Sequence, residues 1–161
     1  MNSAIVIRIL TLDDTVSYGA IREKANADLK YRGRRDPEKK LSVPEITALL
    51  SASQNSISLG AFLDKELVGI ISMGWQSDES TLFGLYVLEN NRREGVGRKL
   101  SNEVIKMADE RQSKVLKLEV LRENKSALAL YESIGFSSSR RNQTSLKMVY
   151  ITHQTPGLTE Q

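Results

Sequence analysis

The chain of 161 residues contains no cysteine. That excludes disulfides, thiolate metal sites and a cysteine nucleophile, and it suits a reducing compartment. Its one histidine, His153, lies in a C-terminal stretch of Thr, Gln, Pro and Gly. A single imidazole is too few for a His-based metal centre and badly placed for a Ser-His-Asp triad, so no metal is expected. No apolar run is long enough to cross a bilayer, and the Met1 end lacks a basic segment leading into a long apolar one. The expected location is the cytoplasm, away from membranes. Charge of one sign is not in large excess either. A net charge of +3 tolerates an anionic ligand without calling for nucleic acid, and no base-stacking aromatic motif is present.

What is there is a full core. With 40% hydrophobic residues, the chain suits one globular domain over residues 1–152, followed by a disordered tail over 153–161. Neither an internal repeat nor a linker interrupts it.

The organising stretch is residues 82–106. An apolar strand (82–88) meets the polar turn Glu89-Asn90-Asn91. Arg92-Arg93-Glu94-Gly95-Val96-Gly97-Arg98 then opens an amphipathic helix. Such a turn delivers a helix's free N–H groups and the positive end of its dipole to one point, which favours an anion. The glycines let the backbone approach a phosphate, and Arg92 and Arg93 add charge and forked donors. Gly-x-Gly alone is a weak signal, because a strand-to-helix turn also uses glycine for its own geometry.

Taken in order, residues 4–10 read as a short β-branched strand. A helix starting at Thr11 or Asp13 follows, with Leu12, Val16, Ala20, Ile21, Ala25 and Leu29 at helical spacing. Residues 30–40 carry six basic and two acidic side chains; they are a solvated loop, or else a wall for the substrate or an acidic partner. Ser42-Val43-Pro44-Glu45 has the capping residue, first-turn proline and returning glutamate of a helix start. Residues 56–63 and 67–75 read as an antiparallel hairpin about Asp64-Lys65-Glu66, and the strand beyond Ser80 continues the meander. That strand is apolar on both faces, which implies cover on both sides. Gly84 inside it suggests a bulge or a close approach of backbone. Trp75 is a core residue, or else lines a pocket.

The helix after the turn places Val96, Leu100, Val104 and Met107 or Ala108 inward. Residues 115–121 form a strand with Leu116, Leu118 and Val120 on one face and Lys117 and Glu119 on the other. Asn124 caps a short helix that Gly135 stops, and residues 136–141 and 145–151 form a last strand pair.

Two motifs now stand in order: Arg92-x-x-Gly95-x-Gly97, then Leu118-Glu119-Val120-x-x-x-Asn124-x-x-Ala127-x-x-Leu130-Tyr131-Glu132-x-x-Gly135-Phe136. Together they resemble the GCN5-related N-acetyltransferases, the GNAT superfamily, and are nearest its ribosomal-protein alanine N-acetyltransferases. The resemblance implies an α/β (α+β) fold. Its mixed, mostly antiparallel sheet would have about seven strands and be flanked by about four helices, with a splayed strand pair holding the cofactor. It implies acetyl-CoA as that cofactor, and direct transfer of its acetyl group to a primary amine. The turn Arg92, Arg93, Glu94, Gly95, Val96, Gly97 and Arg98 would hold the pyrophosphate, and Tyr86, Val87 and Leu88 would pair with the pantetheine arm. A backbone N–H at Val87 or Leu88 would polarise the thioester carbonyl. Asn124 would bond the pantetheine arm as well as cap its helix.

Tyr131 would protonate the leaving thiolate; otherwise it is a half-buried helix tyrosine. A phenol with a pKa near 10 can serve a thiolate near about 8.5 once hydrogen-bonded to it. Glu119 would be the base, with Glu79 and Asp78 behind it, unless water serves or Glu119 is simply a glutamate on the sheet face. Two departures stand out. Glu89 occupies a position where the family often has proline, and Gln143 and Thr144 follow Arg140-Arg141-Asn142 where the alanine-specific subgroup has tyrosines. The acceptor is therefore a small-molecule amine or a peptide or protein N-terminus, served by a monomer or homodimer. A non-catalytic acyl-CoA-binding or regulatory module on the same fold is the alternative.

Overall fold

The structure is a computed structural model, and it describes residues 4–28, 40–51 and 55–152. Seven strands form one sheet: β1 (Val6–Ile9), β2 (Ser56–Leu63), β3 (Glu66–Gln76), β4 (Glu79–Val87), β5 (Val115–Leu121), β6 (Ser137–Arg141) and β7 (Ser145–Ile151). Four helices accompany them: α1 (Thr15–Ala27), α2 (Val43–Leu50), α3 (Val96–Glu110) and α4 (Lys125–Ile134). The sheet order is β1-β2-β3-β4-β5-β7-β6. Every neighbouring pair is antiparallel except β4–β5. α3 bridges that parallel pair, as a crossover requires. This is the mixed α/β architecture expected from the sequence. The basic stretch, apart from Lys40, and the C-terminal tail with His153 lie outside the described residues. No helix among the described residues is long and apolar enough to cross a membrane.

Local chemistry explains the elements. Asp64 and Lys65 both take positive φ, 50° and 70°, as a two-residue turn between right-twisted strands requires. Ser42 and Glu45 form a reciprocal capping box on α2: Glu45 N donates to Ser42 Oγ and Ser42 N to Glu45 Oε2. Asn124 Oδ1 caps α4 through Ala127 N at 3.2 Å. At the far end, the N–H groups of Gly135 and Phe136 both return to the Tyr131 carbonyl.

Two cores lie on opposite faces of the sheet. Under α3 and α4, Leu59, Ile71, Met73, Leu82, Leu100, Val104, Leu116, Leu118 and Met148 are buried together. Under α1 and α2 a smaller cluster joins Leu10, Tyr18, Ile21, Phe62, Ile70 and Tyr86. Strand β4 serves both. The β3–β4 register shifts between Ile70 and Ser72, opposite Gly84 at φ +69°. This bulge puts Leu82 in one core and Tyr86 in the other.

Two sequence expectations need correction. Val16 is 85% exposed and Leu12 is 52% exposed, so neither belongs to the buried face of α1, which is Tyr18, Ile21 and Ala25. Leu12 sits in a 3-10 turn at Leu12–Asp14, ahead of the α-helix that starts at Thr15. Val16 is inside that helix but two residues from Tyr18, about 200° round the axis, and so faces away from the buried side. Second, β4 is not covered on both faces throughout, because Phe83 is 43% exposed. Trp75 is half-buried against the larger core, with the Arg111 guanidinium 3.5 Å from its ring centroid.

Candidate active site

Strands β4 and β5 are hydrogen-bonded only at Glu79↔Val115, Ser80↔Leu116 and Thr81↔Lys117. Beyond Thr81 and Lys117 the two strands part, and the gap leads to the N-terminus of α3. A cleft of about 660 Å³ opens there, within the size range of small-molecule sites. Its walls include Tyr86, Val87, Arg92, Arg93, Gly97 and Asn124.

The turn before α3 is shaped for an anion. Gly95 caps the helix at φ +86° without any side-chain cap, and Arg93 is also left-handed at φ +64°. The first intrahelical bond runs from Lys99 N to Gly95 O at 3.0 Å. The N–H groups of Val96, Gly97 and Arg98 precede it and are the orphan donors of the helix. The constraint at Gly97 is space rather than φ. A Cβ there would lie 3.2 Å from Leu130 Cδ2, inside the cleft wall.

Strand pairing decides which backbone groups face the gap. Leu88 N donates to Val68 O at 2.9 Å, and Val87 stands opposite Gly69. Hydrogen-bonded and non-hydrogen-bonded pairs alternate along an antiparallel ladder. Val87 therefore turns its N–H and C=O away from β3, into the gap, while the Leu88 N–H is committed to the sheet. The Val87 carbonyl confirms the direction by accepting from Arg92 Nε at 3.0 Å.

The arginines have distinct partners. Arg92 also donates to Asp28 Oδ2 at 2.9 Å, with its guanidinium 5.3 Å from the Tyr86 ring centroid. Tyr86 is buried, which raises its phenol pKa above the ordinary value; the charge of Arg92 works in the opposite direction. Arg98 donates to Ser133 Oγ at 2.7 Å on α4, and Arg93 is exposed. Glu89 and Asp28 bring carboxylates to the same cleft.

The two residues expected to move protons stand apart from the turn. Glu119 lies on β5, two residues past the last β4–β5 pair. Its side chain is exposed on the face opposite α3 and α4, because Leu118 and Val120 are buried under those helices. Ser145 Oγ–H donates to Glu119 Oε1 at 2.6 Å. Tyr131 is only 5% exposed. Its ring packs edge-on against Phe136, centroids 5.5 Å apart. Its neighbour Leu130 lines the cleft, while Tyr131 belongs to the larger core. Asp78 and Glu79 stand at the closed end of the β4–β5 pair and are engaged by Lys114 at 2.8 Å and Lys117 at 2.7 Å. Among the described residues no group of three or more His, Cys, Asp or Glu could hold a metal ion.

The structure thus gathers Tyr86, Val87, Arg92, Arg93, Gly95, Val96, Gly97, Arg98 and Asn124 around one cleft. It leaves Leu88, Glu94, Glu119 and Tyr131 outside the lining. Asp28, Leu85, Asn91 and Ser126 are wall residues that no motif picks out, Leu130 is a motif residue without an assigned role, and Asp28 is sixty-four residues from its partner Arg92.

Comparison with known proteins agrees with this geometry. Residues 21–136 match the sequence pattern of the acetyltransferase (GNAT) family. The [ribosomal protein bS18]-alanine N-acetyltransferase of Escherichia coli (strain K12) is 43% identical over 67 residues, which are 40% of this chain and 45% of that protein. This chain therefore spans less than half the length of the curated relatives it matches. The PaiA N-acetyltransferase of Thermoplasma acidophilum, solved with coenzyme A, superposes with a TM-score of 0.81 at 22% identity, over 92% of this chain and 99% of that one. The ribosomal-protein-alanine N-acetyltransferase of Brucella melitensis gives 0.78 at 25% identity, over 91% and 99%. The splayed strands, the glycine turn and both helices that flank the cleft all fall inside the matched segment, and the chain belongs to the acetyltransferase (GNAT) family.

Proposed function

We propose that this protein is an N-acetyltransferase that moves the acetyl group of acetyl-CoA directly to a primary amine. The observation that carries the reading is the junction of the β4–β5 gap with the uncapped start of α3. One cleft there offers an anion cradle and, next to it, a strand edge with a backbone N–H aimed into open space. Acetyl-CoA supplies an activated thioester at the end of a long arm that carries phosphates. The orphan N–H groups of Val96, Gly97 and Arg98, with Arg92, Arg93 and Arg98, suit the pyrophosphate. The edge of β4 suits the amide-bearing arm, with Asn124 beside it.

The chain's own groups then divide the chemistry. The Val87 N–H donates to the thioester carbonyl, where negative charge develops. The amine must first lose a proton, since an ammonium with a pKa near 10.4 is about 99.9% protonated at neutral pH. Glu119 takes that proton. As the C–N bond forms and the C–S bond breaks, the thiolate receives a proton from the Tyr131 phenol. The acceptor is a small-molecule amine or a peptide N-terminus; the alanine-specific relatives favour the latter, and the absence of tyrosines after Asn142 favours the former. The expected setting is the cytoplasm.

The burial of Tyr131, outside the cleft lining, supports a second reading, a binding module that holds acyl-CoA without turnover. Thiol release from acetyl-CoA, measured across a panel of amines that includes an alanine-ended hexapeptide, separates the two. Release that depends on any amine establishes transfer. Binding of CoA with no release across the panel leaves the module.

A further inference from the structure

The β6–β7 hairpin tip does more than reverse the chain. Asn142 Oδ1 accepts from two backbone N–H groups, Thr144 N at 2.8 Å and Ser145 N at 2.7 Å. Those two donors fix which end of the amide is oxygen. The Nδ2 end must then point at Ser145 Oγ, to which it donates at 2.9 Å. An oxygen that accepts there turns its own proton elsewhere. Ser145 Oγ–H accordingly donates to Glu119 Oε1 at 2.6 Å, the short distance typical of a hydroxyl bonded to a carboxylate. Ser145 as a residue is buried, at 4% exposure, which limits the competition of water for its proton. The tip itself is tied to the end of β5: Arg122 N donates to Thr144 O at 2.9 Å and Arg122 Nη1 to Asn142 O at 3.2 Å.

We propose that Ser145 and Asn142 are positioning residues that hold the Glu119 carboxylate for proton abstraction, as a directed chain Asn142 Nδ2–H to Ser145 Oγ–H to Glu119 Oε1. The proposal rests on the reading of Glu119 as the base. The chain presents Glu119 as an acceptor, since a proton on Oε1 would meet the serine proton head-on. It also restricts an exposed, rotatable side chain to one orientation. Oε1 is then engaged, and Oε2, which has no donor among the described residues, is left to receive the proton of the amine.

The test uses the full chain, acetyl-CoA, and whichever amine of the panel reacts fastest. Ser145→Ala lowers kcat about tenfold, with KM for acetyl-CoA unchanged. Asn142→Asp keeps both acceptor bonds of the hairpin tip but has no N–H to give, and it lowers kcat similarly without lowering Tm. In a Glu119→Gln background, Ser145→Ala has no further effect on kcat. Four results separate the possibilities. If Glu119→Gln itself leaves kcat unchanged, the base assignment fails and the positioning role with it. If Glu119→Gln lowers kcat while Ser145→Ala and Asn142→Asp do not, only the positioning role is overturned. Equal further loss from Ser145→Ala in the presence and absence of the Glu119 carboxylate also overturns it, as does absence of turnover with every amine.

Discussion

Gly97→Asp is the sharpest perturbation of the cleft, because its effects on binding and on folding have opposite signs. Gly97 is the second residue of α3. A carboxylate in the first turn of a helix complements the dipole and stabilises by about 0.3–1 kcal/mol. The same carboxylate would stand where an anion is to be held. Two unit charges about 4 Å apart at an effective dielectric constant near 20 repel by about 4 kcal/mol, or roughly a thousandfold in affinity. Gly97→Ala serves as the steric control. Its Cβ meets only the tip of Leu130 at 3.2 Å, a flexible side-chain end that can yield by a few tenths of an ångström. Calorimetric titration with CoA should show Gly97→Ala within about tenfold of the wild type and Gly97→Asp weaker by about three orders of magnitude. The unfolding temperature of the free protein should not fall in either. At a hundredfold excess over its dissociation constant, CoA adds about 2.7 kcal/mol of stability to the wild type, a shift of about 5–10 °C at this length. The shift should vanish in Gly97→Asp. Binding by Gly97→Asp within tenfold of the wild type would refute the assignment of the anion to this helix start. Losses of equal size in both variants would make the effect steric.

Other outcomes follow from the same geometry. Asp28→Asn removes a carboxylate from the cleft wall and releases Arg92 from its 2.9 Å ion pair; CoA should bind about two- to tenfold tighter, with a steeper dependence on salt, in titrations at two ionic strengths. Tyr131→Phe should lower kcat at least tenfold while the CoA dissociation constant stays within about twofold, and equal loss of binding would remove the acid role. The Arg8 guanidinium, bonded through two nitrogens, holds the Asp14 carboxyl at about 2 against an ordinary value of 3.8. A lowered carboxyl pKa stabilises the fold above the unfolded-state value, and the contribution disappears as pH falls through the folded-state value. Asp14→Asn should therefore cost about 2 kcal/mol at pH 6 and about half that at pH 3, read by urea denaturation at both pH values; a difference independent of pH would refute it.

Much of this was legible before the fold. The β4–turn–α3 unit, the Asp64-Lys65 hairpin, the caps at Ser42 and Asn124, the stop at Gly135 and the irregularity at Gly84 each rest on chemistry within a few residues of sequence. Ala108 rather than Met107 completes the buried face of α3, a choice that periodicity alone left open. The start of α1 was not legible, because a capping box at Thr11 starts a 3-10 turn before the helix proper. Nor was the choice of Val87 over Leu88, which depends on strand register. Arg92 reads as a free cation, yet Asp28 meets it across the fold. The chain of bonds from Asn142 to Glu119 joins a hairpin tip to a strand twenty-three residues earlier. Pairings over such separations belong to the assembled sheet and leave no mark in local pattern.

The extra residue at Gly84 has a consequence beyond the bend it introduces. Up to Leu82, even-numbered positions of β4 feed the core under α3 and α4; after it, odd-numbered positions do, with Leu85 and Val87 on that side and Tyr86 on the other. The strand is thus read in two frames, and the switch between them is a matter of counting rather than of composition. Deleting Gly84 would keep every side chain that builds the wall and turn the wall inside out. Tyr86 would be driven under α3, and Leu85 and Val87 would be sent toward α1. In this stretch the number of residues between Leu82 and Tyr86 carries as much of the design as their identity, and a variant one residue shorter should lose both cores together.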